Sequence, residues 1–105
     1  MLIHITARYQ VRRHAVEKCF QAIQELVDYV KKNEPKTLFY LANQETLDPT
    51  RFLHNLVFED EVGLKIHQSS PASARFVATV YPEAVKPLEF MEYRIFASKT
   101  ENWRS

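Results

Sequence analysis

Four histidines, set among five tyrosines and seven phenylalanines, are the side chains in this sequence best suited to chemistry. No metal-ligand cluster, phosphate-cradling loop or nucleophile triad stands beside them. An imidazole titrates near neutral pH and can take a proton from a phenol or a quinol. The anion left behind is electron-rich and can pass an electron to oxygen without a metal or flavin. His67 is the leading candidate for that base, on a short helical stretch that follows Phe58-Glu59-Asp60. His54 shares the alternating phase of Phe52, Leu56 and Phe58. In that phase it could orient a substrate oxygen, although a satisfied core histidine is the simpler account. Tyr40 and Tyr93 each carry an apolar body and a hydroxyl able to donate to a quinone-like oxygen. Phe58 and Phe76 would supply an aromatic wall or plain core packing. Cys19 lies among apolar helix positions and reads as a small buried hydrophobe.

These residues need elements to position them. Leu2 to Tyr9 reads as a strand, rich in β-branched and aromatic residues. Arg12 to Lys32 reads as a helix, with Val16, Phe20, Ile23, Val27 and Val30 at spacings of three and four and with Cys19 and Leu26 widening the stripe. Lys31 and Lys32 complement its negative end, and Pro35 stops it. Thr37 to Asn43 and Arg51 to Glu59 are predicted strands separated by a polar turn. Asp60 is a plausible N-cap for a helix to Gln68, and Pro71 suits the first turn of another reaching Val80. Leu88 to Ser98 is the last predicted strand. Residues 1–98 then form one domain and 99–105 a polar tail whose aromatic residue is Trp103. Two halves of this kind predict an α+β ferredoxin-like sandwich with a four-stranded antiparallel sheet.

The strands carry apolar residues on both phases. Phe52, Leu56 and Phe58 oppose Leu53 and Val57; Leu38 and Tyr40 oppose Phe39 and Leu41; Met91, Tyr93 and Ile95 oppose Phe90 and Phe96. A sheet with one face in water alternates more cleanly. Helices cover one face only, so a second copy of the chain packed sheet to sheet is the simplest cover for the other.

Bulk properties exclude several classes. The net charge is +1, from 14 basic and 13 acidic residues, which leaves no electrostatic footprint for nucleic acid or an anionic membrane. One cysteine allows no internal disulfide. The N-terminus lacks the pattern of a signal peptide and no apolar run approaches bilayer length, so a cytoplasmic setting is expected.

The run from Glu34 to Phe76 resembles the antibiotic biosynthesis monooxygenase-like domain of the dimeric α+β barrel proteins, and the likeness extends from Leu2 to Ala97. Glu34, Pro35 and Thr37 match a Glu-Pro-Gly-Thr motif in which Lys36 replaces the glycine. Phe58 stands where many members have tryptophan, and Gly63-Leu64 precedes His67 where many have Ala-Leu. Ser69, Ser70 and Phe76 fit the usual continuation. The resemblance implies a pocket between sheet and helices and a homodimer through the opposite sheet faces. It also implies cofactor-free oxygenation of a small aromatic quinol or polycyclic phenol by molecular oxygen, with His67 as base and His54, Phe58, Tyr40, Phe76 and Tyr93 around the substrate. A haem-degrading relative would carry asparagine at Ala7 and tryptophan at Phe58; only its histidine is matched, by His67. A ligand-binding or stress-related dimer without turnover is the alternative the same fold allows.

Overall fold

The computed structural model describes residues 1–100, so the tail position of Trp103 lies outside the described residues. Strand β1 (Ile3–Gln10) leads through a short 3-10 turn (Arg13–Ala15) into helix α1 (Val16–Asn33). Strands β2 (Thr37–Gln44) and β3 (Arg51–Phe58) follow, then helices α2 (Glu61–Gln68) and α3 (Pro71–Val80), and finally strand β4 (Glu89–Tyr93). The sheet order is β2-β3-β1-β4 with every neighbour antiparallel, which is the ferredoxin-like α+β arrangement.

One phase of each strand faces the helices. Ile3, Ile5, Ala7 and Tyr9 of β1 pair with Phe58, Leu56, His54 and Phe52 of β3. Cys19 and Ile23 of α1 are buried against this layer, and Leu26 and Val30 of the same helix against Ala72 and Tyr40. Their spacings of four, three and four make one stripe on a 3.6-residue helix. Phe20 is 41% exposed, so the stripe is centred about one position away from the predicted one. Asp60 caps α2 by accepting from the Gly63 amide, and Ser70 caps α3 by accepting from Ser73.

Two strands depart from simple alternation. The β2–β3 register slips by one residue between Thr37 and Phe39. An extra residue there shifts the phase of the strand. Thr37 and Tyr40, three residues apart, therefore both reach the helix side, where they pair with Phe58 and Leu56, and Leu38 has no partner on β3. Strand β4 ends at Tyr93 rather than Ser98. Tyr93 pairs with His4, one residue from the start of β1, so the chain beyond has no strand to pair with.

Lys36, which stands in the motif's glycine position, needs no left-handed backbone: no described residue has a positive φ. Gly63 is where close approach matters. A Cβ placed on it would lie 2.8 Å from the Lys36 Cβ. The start of α2 is thereby held tightly against the turn that opens β2. The Lys36 ammonium reinforces this by donating to Glu59 and Asp60, and the Glu59 amide donates to the Lys36 carbonyl.

Candidate functional site

A cavity of about 340 Å³ opens between the helix side of the sheet and helices α2 and α3. Tyr40, His54, His67, Gln68, Ser73 and Phe76 line it together with apolar side chains. Phe90 on β4, 58% exposed, completes the wall at the sheet edge. Of the six residues predicted for the site, four meet here: His67, His54, Tyr40 and Phe76. Phe58 is buried behind the wall, its ring 5.4 Å from that of His67. Tyr93 is elsewhere. Its phase, shared with His4, faces the opposite side of the sheet, where its ring lies 5.4 Å from that of His4.

His67 is fixed by a carboxylate. Its Nδ1 lies 2.9 Å from Glu34 Oε1, and the side chains are 13% and 2% exposed. Glu34 sits just past the end of α1, where its amide closes the last turn by donating to the Val30 carbonyl. The Thr37 hydroxyl, brought to this side by the β2 register slip, donates to the same Oε1 at 2.8 Å. A carboxylate accepts and cannot donate, so Nδ1 carries a proton and donates it. In its neutral form the ring therefore has its lone pair on Nε2. That nitrogen has no partner among the described residues and remains accessible; the sealed, unpartnered side-chain oxygen among them is Glu34 Oε2.

His54 occupies a different environment. It is 2% exposed and both its nitrogens are engaged, Nε2 with the Tyr9 hydroxyl at 2.7 Å and Nδ1 with the Tyr40 hydroxyl at 2.8 Å. Burial, with the neighbouring His67 imidazole adding to the effect, pushes its pKa down to about 4. It is a neutral, satisfied core histidine that also forms part of the cavity wall. Burial pushes the pKa of Tyr9 and of Tyr40 well above the ordinary phenol value, with Tyr40 and Glu34 respectively as the next contributors. Both phenols keep their protons across the physiological range.

Two members of the site were not singled out by residue type. In the sequence Glu34 stands in a motif without a role, and Tyr9 is one of several aromatic and β-branched strand residues. The available signals were the Glu34–Thr37 spacing and the in-phase relation of Tyr9 to Ile3, Ile5 and Ala7. No group of three or more His, Cys, Asp or Glu that could hold a metal occurs among the described residues. No helix among them is long and apolar enough to cross a membrane.

Residues 2–79 match the model of the family described as antibiotic biosynthesis monooxygenase. Solved structures share the fold at low identity. A Bacteroides thetaiotaomicron VPI-5482 protein, named as a candidate antibiotic biosynthesis monooxygenase, is 16% identical with a TM-score of 0.87, covering 95% of this chain and 94% of its own. A Mycobacterium tuberculosis protein is 13% identical with a TM-score of 0.85, covering 95% of this chain and all (100%) of its own. A structure described as an antibiotic biosynthesis monooxygenase is 19% identical with a TM-score of 0.83, covering 90% and 99%. Among curated proteins none matches the sequence.

Proposed function

The chain belongs to the antibiotic biosynthesis monooxygenase family, and from that membership we propose that it is a cofactor-independent monooxygenase of a small aromatic quinol or phenol. The observation that carries this reading is the Glu34–His67 pair at the cavity wall. Its Nδ1 committed to a buried carboxylate, His67 offers Nε2 as a base to a phenolic proton. Taking that proton makes the pair ionic, and the buried Glu34 carboxylate then faces a compensating charge. The electron-rich anion reacts with molecular oxygen. One oxygen atom ends on carbon, and the other leaves as water with the two hydrogens the substrate gives up. Phe76 and Phe90 provide aromatic surface, and Phe58 packs behind His67. At about 340 Å³ the cavity is at the small end for ligand pockets, which favours one or two rings over larger polycycles.

The active form in this reading is a homodimer through the open sheet face. Leu41, Met91 and Tyr93 are 46%, 55% and 48% exposed on that side, an apolar patch of the kind that marks an interface. A reducing compartment such as the cytoplasm suits a chain whose one cysteine is a free, buried thiol.

The test is oxygen uptake by purified protein with a panel of quinols and anthrones, beside His67→Ala. Loss of a general base is expected to lower turnover about 10²- to 10⁴-fold. Uptake that persists unchanged in the variant removes His67 from the chemistry. No uptake across the panel, with an aromatic ligand still bound, would make this a binding protein.

A further inference from the structure

Tyr9, His54 and Tyr40 are joined by two hydrogen bonds whose direction the surroundings decide. The imidazole in the middle is neutral, so it has one N–H and one lone pair. Two proton arrangements satisfy both bonds. In the first, Nε2–H donates to Tyr9 and the Tyr40 hydroxyl donates to Nδ1. The Tyr9 proton is then left over, and Tyr9 is 5% exposed in a core with Val11, Ala15, Cys19, Ile23 and Phe52 that offers it no second acceptor. In the second, Tyr9 donates to Nε2 and Nδ1–H donates to the Tyr40 oxygen. The proton left over is now that of Tyr40, and Tyr40 lines the cavity. A donor buried without an acceptor is costly, whereas one at a cavity can bond to water or a ligand. The second arrangement prevails.

We propose that Tyr9 and His54 act as positioning residues that turn the Tyr40 hydroxyl into a donor facing the cavity, so that the site takes aromatic ligands bearing a carbonyl or phenolate oxygen. Tyr40 and His67 stand edge to face with ring centroids 6.1 Å apart. One molecule can therefore give a proton to His67 and accept one hydrogen bond from Tyr40. The pairing with His67 rests on the proposed function; the direction of the Tyr40 bond does not.

Two measurements on the ligand-free and ligand-bound protein test this without reference to oxygen uptake. Long-range ¹H–¹⁵N correlation spectra of ¹⁵N-histidine-labelled protein at neutral pH, assigned against His54→Gln, report which ring nitrogen of His54 is protonated. The expected result is a protonated Nδ1 and a bare Nε2; the reverse overturns the proposal. Binding of 1-tetralone is then compared with that of tetralin, its hydrocarbon counterpart, in the wild type and in Tyr40→Phe. The ketone should lose about tenfold in affinity in the variant, the size of one ordinary hydrogen bond, while tetralin is unchanged. Equal weakening of both, no weakening of the ketone, or no ketone binding to the wild type overturns the ligand class. Failure of the monooxygenase reading would leave both results standing.

Discussion

At the scale of single residues, His67 depends on Glu34. Glu34→Gln keeps the length and shape of the side chain and can still accept from Nδ1, but it removes the charge that balances the imidazolium. Turnover is expected to fall about a hundredfold, at the low end of what general acid–base catalysis contributes, with KM little changed. Steady-state oxygen uptake measures this, with a circular dichroism melt as the control for folding. His54 makes a separate, pH-dependent contribution. Its folded pKa, about 4, lies below the ordinary value of 6.5, so the unfolded chain binds the proton more readily. Stability from keeping His54 neutral is fully present above pH 6.5 and is lost as the pH falls from there towards 4. The loss is on the order of 3 kcal/mol by linkage. Urea titrations between pH 8 and 4 should show it in the wild type and not in His54→Gln. Asp48 and Asp60, whose carboxyls are held below their ordinary range by hydrogen bonds, act at lower pH and do not obscure that window. The sequence made His67, His54 and Tyr40 visible through residue type. It left Glu34 and Tyr9 obscure because their partners lie 33 and 45 residues away, and only strand register and helix packing reveal such pairs.

At the scale of elements, the contact between α2 and the β2 turn sets the His67–Glu34 distance. Gly63→Ala would put a methyl group 2.8 Å from the Lys36 Cβ and 3.1 Å from its carbonyl oxygen, neither of which is the free end of a flexible chain. Overpacking of this kind costs about 1–3 kcal/mol. A lowered urea midpoint together with reduced turnover is expected; unchanged values in both would separate this contact from the site. Helices α2 and α3 and three strands were readable to within a residue, because alternation, Asp60 and Pro71 all act locally; the first helix, expected from Arg12, opens as the 3-10 turn Arg13–Ala15 and becomes α-helical only at Val16. The length of β4 was not. Apolar residues continue to Phe96, yet a strand needs a neighbour, and β1 begins at Ile3. Likewise alternation read straight through β2 puts Thr37 on the wrong phase, with Phe39 and Leu41, since a register slip depends on the facing strand.

For the whole molecule, the open sheet face predicts the assembly state. Sedimentation equilibrium is expected to give twice the chain mass for the wild type. Leu41→Asp, which places a charge on the apolar face, should give the chain mass once. Leu47→Asp, at a position 96% exposed in the β2–β3 turn, should remain at twice the mass. That this face is apolar could be read from the strands directly, because both phases carry large hydrophobic residues. Which of Tyr40 and Tyr93 lies on it could not, since with two apolar phases alternation has no polar side to orient it.

Cys19 gives the interior a chemical durability that its packing alone does not suggest. Oxidising quinols produces quinones, electrophiles that capture thiolates, and reduced oxygen species convert thiolates to sulfenic acids. Cys19, the chain's one cysteine, is 0% exposed in the α1 core with Tyr9, Ile23 and Phe52 and does not line the cavity. Burial raises its pKa, with the Glu83 charge adding to the effect, so the thiol is both out of reach and protonated. In the proposed reaction a quinone product would therefore find no cysteine to capture, and the working lifetime would be set by how seldom the core opens.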